Sequence, residues 1–286
     1  MALVSPFAAT VDWIYAGLIR TADATTNFDT DAGLGGRLFY AGELDGAGCA
    51  LVVAANIAGA ASLTATADQT IQKQAIRDGV IDFLVTTLDE ALRILKNEVR
   101  KRQTVAVCVA QHPQAVERDM VELGALPDLL PPGALYAPQF QAFIEQGARQ
   151  INPVSADKNQ TVLTWSVDAA PALRLPKLDA IAVDCLGPSQ EPEVWPAKRW
   201  MRLAPSYLGR LTKGARLLRC STKAAHCFLD QVREQVECGQ LDAIVEIDLS
   251  SRGRSEQYRF SPSAAETVGG LSRVHCRRPQ SGPTTP

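Results

Sequence analysis

The chain has 286 residues, 46% of them hydrophobic and 21% charged, with a formal net charge of -2. These are ordinary globular values for one large or two ordinary domains around a sizeable core, and the near-neutral balance disfavours nucleic acid or acidic lipid as a partner. No apolar run reaches the roughly 18 residues of a membrane helix and the N-terminus does not read as a secretory signal, so a cytoplasmic chain is expected, its seven cysteines kept as reduced thiols.

Residues 8–20 predict an amphipathic helix with Trp13, Ile14 and Leu18 facing inward. A polar, turn-rich segment from Thr21 to Gly36 follows. The stretch from Leu38 to Asp68 then reads as a buried strand, a glycine turn, a small-residue helix, a second strand and an acid. That order opens a dinucleotide-binding βαβ unit. Gly42, Gly46 and Gly48 let the chain turn sharply and bring bare backbone to a pyrophosphate, which the start of the helix attracts with its N–H groups and dipole. Asp68 follows Gly48 by twenty residues, the spacing at which a carboxylate accepts from ribose hydroxyls. Glu43 and Asp45 place two carboxylates in the same turn and would repel a diphosphate unless they point away. The competing reading is a plain crossover whose glycines only pack helix against strand.

Residues 69–78 predict a short helix stopped by Gly79, and Val80–Val85 a strand. Thr87 and Glu90 have capping-box spacing. The helix they open repeats apolar residues at Leu88, Ala91, Leu92, Leu95 and Val99, and ends in Arg100, Lys101 and Arg102, which suits the negative end of its dipole. Thr104–Val109 is a continuous apolar strand of the kind covered on both faces in parallel sheets. His112 follows it, on the side where open α/β sheets bind ligands. This histidine reads either as a group that contacts a nucleotide or acts as acid or base near neutral pH, or as a solvated histidine at a helix start. Pro113–Leu123 predicts a helix capped by Gly124, and Leu126–Leu130 closes the unit before Pro131, Pro132 and Gly133 break it.

Beyond a helix near Gln139–Gly147 and a loop to Asn159, Thr161–Val167 and Leu178–Leu186 read as strands. Residues 196–212 read as a helix that Pro205 breaks or kinks. Ala215–Cys220 reads as a strand, Thr222 as the cap of a helix to Cys238, and Ala243–Leu249 and Gln257–Phe260 as strands, the last at an edge. Past Pro262 the composition predicts a disordered tail.

Seven cations stand between Lys198 and Arg219 with Trp195, Trp200 and Tyr207 among or beside them. They read as an anion-binding or single-strand nucleic-acid surface, or more simply as a solvated, ion-paired face, which the overall charge favours. Of the three histidines, His226 lies near Cys220 and Cys227, and His275 beside Cys276. Neither spacing matches a zinc framework, so no metal site is expected.

The segments Gly36–Gly42 (GRLFYAG), Gly46–Gly48 (GAG), Ala58–Leu63 (AGAASL), Ala75–Val80 (AIRDGV), Leu88–Arg93 (LDEALR) and Glu122–Asp128 (ELGALPD) together resemble the central domain of urocanase, the urocanate hydratase of histidine breakdown, over Leu34 to Leu130. The resemblance implies a Rossmann-like domain and NAD as cofactor. It does not extend to the denser glycine turn of that family, where this chain has Glu43 and Asp45. The Thr-Asp-Gln-Thr-type loop that follows the Pro-Asp there is replaced by Leu129–Gly133, and the family's catalytic Gly-Arg-Asp-His run has no counterpart. The resemblance therefore implies the domain without urocanate hydration.

The expectation is an α/β protein. Residues 1–33 would be an N-terminal helix and linker, 34–135 a Rossmann-like doubly wound parallel sheet, 136–262 a second, smaller α/β or α+β unit, and 263–286 a tail. Gly42, Gly46, Gly48, Asp68 and His112 are the candidate cofactor-binding residues for NAD or a related nucleotide. A homo-oligomer is compatible with the sequence, and no membrane partner is expected. The alternative is a regulatory or structural module without a cofactor, meeting an anionic partner through the 198–219 segment. The residues name no reaction.

Overall fold

A computed structural model describes residues 5–23, 33–152, 160–188, 194–209, 211–212, 214–251 and 254–262. The chain forms two compact units, one made of Pro6–Ser155 with Ser206–Leu211, the other of Met1–Ser5, Ala156–Pro205 and Thr212–Pro286.

The first unit is a six-stranded parallel sheet in which β1 (Leu38–Glu43), β2 (Ala61–Ala65), β3 (Phe83–Val85), β4 (Val105–Val109), β5 (Leu129–Leu130) and β6 (Arg149–Gln150) stand in the order β3-β4-β2-β1-β5-β6. Every residue of β2 and β4 is buried, so both faces of the sheet are covered, which is why β4 is an unbroken apolar run, while β2 buries Ser62 and Thr64 among its apolar residues. The helices that supply the cover are α2 (Gly46–Ala58), α3 (Gln69–Asp78), α4 (Leu88–Lys101) and α5 (Pro113–Glu122). Parallel neighbours require such crossovers.

Local chemistry fixes where these helices start and stop. Asp45 caps α2, Asp68 caps α3, and Thr87 with Glu90 forms a complete capping box on α4. The exposed Glu90 carboxylate accepts from Thr86 and Thr87, which holds its pKa below the usual value. Gly59 and Gly79 close α2 and α3 in the left-handed conformation.

Helix α1 (Pro6–Asp23) packs on α2. Its buried stripe is Val11, Ile14, Tyr15, Leu18 and Ile19, whereas Trp13, expected to face inward, is 42% exposed. One residue is about 100° of helix, so Trp13 stands beside the stripe that Ile14 and Leu18 define. The strand expected over Val80–Val85 is confined to Phe83–Val85.

The second unit is an antiparallel sheet in the order β10-β9-β7-β8, built from β7 (Gln160–Val167), β8 (Arg216–Ser221), β9 (Val245–Ser251) and β10 (Arg254–Phe260). Helices α7 (Pro171–Cys185) and α9 (Thr222–Glu237) pack on each other and on β7. Two expectations need correction here. Leu178–Leu186, read as a strand, lies mostly in α7: Leu175, Leu178 and Ala182 are its buried residues, a helical spacing that Pro171 at the helix start announces. The cap of α9 is Ser221, whose hydroxyl accepts from the Ala224 amide, while the Thr222 hydroxyl shares a hydrogen bond with that of Thr161. Helix α8 (Trp195–Leu208) continues through Pro205. The expected tail, with His275 and Cys276, lies outside the described residues. No helix among the described residues is long and apolar enough to cross a membrane.

Candidate functional site

The loops leaving the carboxyl ends of β4, β2 and β1 carry His112, Asp68 and the Gly42–Gly48 turn, in that order along one edge of the parallel sheet. The chain reverses its direction of strand addition between β1 and β5, since β2, β4 and β3 lie on one side of β1 and β5 and β6 on the other. A crevice outside the carboxyl ends at such a reversal is where open α/β sheets take ligands.

Within the turn the three glycines differ. Gly42 has φ +79 and sits at a register shift in β1, with its Cα side facing the Phe140 ring. A side chain there would be strained by the backbone alone. Gly46 is exposed at the helix start and has nothing near the position a Cβ would take. Gly48 is buried, and a Cβ on it would be driven into the carbonyl of Glu43. The first turn of α2 is therefore pressed directly onto the end of β1.

The acids of this edge are also placed. Glu43 and Asp45 are exposed. The Asp45 carboxylate accepts from the Gly48 amide at 2.7 Å, so the chain's own anion takes one donor of the α2 terminus. Asp68 does the same for α3, its Oδ1 accepting from Thr70 and Ile71 at 2.7 and 3.3 Å. His112 occupies the cap position of α5, exposed and without a side-chain bond to the helix. The fold thus brings the five candidate residues to one edge and gives both aspartates a capping role.

A buried polar pair that the sequence does not announce lies behind this edge. The Tyr40 hydroxyl in β1 donates to Glu117 Oε1 in α5 at 3.1 Å, with both residues buried. Burial raises the Glu117 pKa and the Tyr40 hydrogen bond pulls it back down; burial first, then the Glu117 charge, drive the Tyr40 phenol far above its usual range. The Tyr40 ring meets Phe140 and Phe143 edge-on at 6.0 and 6.1 Å. Phe140 and Phe143 come from the segment after β5 that includes α6 (Gln141–Glu145). An aromatic wedge thus backs the Gly42 turn on the β5 side.

In the second unit Trp195 and Trp200 are buried, the Trp200 indole N–H donating to the Leu217 carbonyl. Arg199 is buried and Arg216 is paired with Asp179. These aromatic residues pack the unit and do not form an exposed base-stacking platform. Arg210 and Lys213 lie outside the described residues. Cys220 is buried while His226 is exposed, and no cluster of three metal-ligating side chains forms among the described residues.

The match to known proteins lies within the first unit: residues 14–133 fit the family model described as the urocanase Rossmann-like domain. It takes in α1 from Ile14 onward, as well as the parallel sheet through β5, and on this match the chain carries a urocanase-like Rossmann domain.

Proposed function

We propose that the urocanase-like domain binds NAD or a related nucleotide at the carboxyl edge of its sheet, and that the chain does so without urocanate hydratase chemistry. The observation that carries this reading is the contact of Gly48 with the Glu43 carbonyl. It seats the start of α2 at the strand end, where exposed Gly46 and Ala47 amides offer donors to a pyrophosphate. Gly42 supplies the turn, Asp68 has a second carboxylate oxygen for a ribose hydroxyl, and His112 sits one strand further along the edge. NAD would supply a dinucleotide's adenosine, pyrophosphate and nicotinamide groups; these residues bind and orient it.

Asp45 sets the affinity. Its carboxylate competes with a phosphate for the same helix terminus, so the native chain binds nucleotides weakly. Asp45→Asn keeps a capping oxygen and removes the charge. Thermal-shift titration with NAD, NADP and ADP-ribose tests the reading, because a ligand selective for the folded state raises its stability. The expected result is a shift at millimolar nucleotide in the native chain and a larger one in Asp45→Asn. No shift in either protein overturns it. Turnover of added urocanate would overturn the exclusion of hydratase chemistry.

A second reading has its own support. Asp45 on the Gly48 amide and Phe140 against Gly42 fill, from within the chain, places that a ligand would otherwise meet. On that reading the domain is a scaffold in a structural or regulatory module, and the titration is flat for both proteins.

A further inference from the structure

In the second unit Cys185 is the last residue of α7 and Cys227 lies in the second turn of α9, two helices that pack together. The Cys227 and Cys185 sulfurs stand 2.6 Å apart, inside ordinary non-bonded sulfur contact and approaching the about 2.05 Å of a disulfide bond. Both side chains are partly exposed, so a small oxidant reaches them. The remaining described cysteines are placed differently. Cys108 and Cys220 are buried, Cys49 is partly buried beside Asp45 and Asp78, and exposed Cys238 bonds to the Gln235 carbonyl. Each of those four is without a second sulfur at such a distance among the described residues.

We propose that Cys185 and Cys227 are a thiol-oxidation site that closes to a reversible disulfide joining the end of α7 to α9. With a hydroperoxide as oxidant, the sulfur of one cysteine, as thiolate, attacks the peroxide oxygen. The O–O bond breaks, releasing an alcohol or water, and a sulfenic acid remains. The second sulfur attacks the first, the S–O bond breaks, and water leaves with the remaining proton. Two electrons pass from the two sulfurs to the peroxide, and a dithiol returns them. Burial first, and then the neighbouring sulfur, push the Cys185 thiol up to about 12, which slows its own attack as a thiolate and leaves the link to form under added oxidant. The link ties positions 42 residues apart and restricts the unfolded chain.

The test uses the full chain, treated with hydrogen peroxide, alkylated and mapped by mass spectrometry. The expected result is loss of two free thiols per chain, a Cys185–Cys227 peptide as the dominant linkage, a higher thermal midpoint, and reversal by dithiothreitol. Cys227→Ser and Cys185→Ser, each checked for native circular dichroism, should both lose the linkage and the gain in midpoint. A natively folded, oxidised chain that carries a Cys185–Cys220 link, or sulfinic and sulfonic acids without a crosslink, overturns the proposal. If neither serine variant folds, the peptide map of the native chain decides.

Discussion

The Tyr40 hydroxyl donates to Glu117 across 3.1 Å, joining β1 to α5 directly behind the turn that holds Gly42. Glu117 is a buried carboxyl facing a phenol, with the aromatic rings of Phe140 and Phe143 on the other sides of that phenol. Removing the donor strands the carboxyl. Tyr40→Phe is expected to lower stability by about 1–3 kcal/mol, the usual cost of a buried polar group without its partner, read from urea denaturation near neutral pH.

The same pair gives a pH dependence with a defined sign. The Glu117 pKa is raised in the folded state, mainly by burial, so the native chain binds the proton more tightly than the unfolded one. Its contribution is therefore most favourable below the unfolded value, falls as pH rises from there through the folded value, and is constant above it. Glu117→Gln should flatten this part of the stability profile. Tyr40→Phe removes the hydrogen bond that lowers the pKa and should push the falling limb to higher pH. Denaturation midpoints of the three proteins measured across the acid range check this; parallel profiles would refute it.

Gly48 and Gly46 stand two residues apart and should respond oppositely to alanine. At Gly48 the new Cβ meets the Glu43 carbonyl, which is backbone and cannot swing aside, so Gly48→Ala should destabilise by about 3 kcal/mol through forced separation of α2 from β1. Gly46 has open space and lies at the first position of a helix. Gly46→Ala should be neutral or stabilise by up to about 1 kcal/mol, through a less flexible unfolded chain. Equal losses at both positions would mean that the helix start is not held against the strand.

Asp45 separates capping from charge. Asp45→Ala should cost about 1 kcal/mol of stability as the Gly48 amide loses its acceptor, whereas Asp45→Asn should cost much less. Thermal unfolding of the two variants without ligand gives this ordering, independently of any nucleotide. If both lose equally, the carboxylate acts on α2 through its charge and the dipole of the helix.

Much of the first unit was legible because its signals are local. The capping box at Thr87 and Glu90, the stop at Gly79, and the unbroken apolar run of β4 each lie within a few residues, and the urocanase-like segments came in order. The edge that gathers Gly42, Asp68 and His112 follows from strand order alone. What was not legible depended on distant partners or on competing periods. Tyr40 and Glu117 are 77 residues apart, and a glutamate at position 117 reads as one more surface charge of an amphipathic helix. The capping of α3 by Asp68 was hidden by the other role that its spacing suggests. Along Leu178–Leu186 the continuous apolar run Ala180–Val183 imitates a buried strand, although α7 forms there with Pro176 inside it.

The inward side of that helix supports a further prediction. Asp179 Oδ2 in α7 accepts from Arg216 Nε in β8 at 3.0 Å, with both side chains 16% exposed. Burial raises the Asp179 pKa, while the Arg216 charge and hydrogen bond, and after them the Trp165 indole, lower it. Breaking such a pair leaves an uncompensated charge, so Asp179→Asn or Arg216→Gln alone should cost roughly 3 kcal/mol. Removing both charges together should restore much of that loss, because desolvation of two ions offsets most of what their attraction contributes. Urea denaturation of the two single variants and the double variant closes the cycle. Additive losses would show that Asp179 and Arg216 act separately, the first as a helix residue and the second as a strand residue, without the bond that joins α7 to β8.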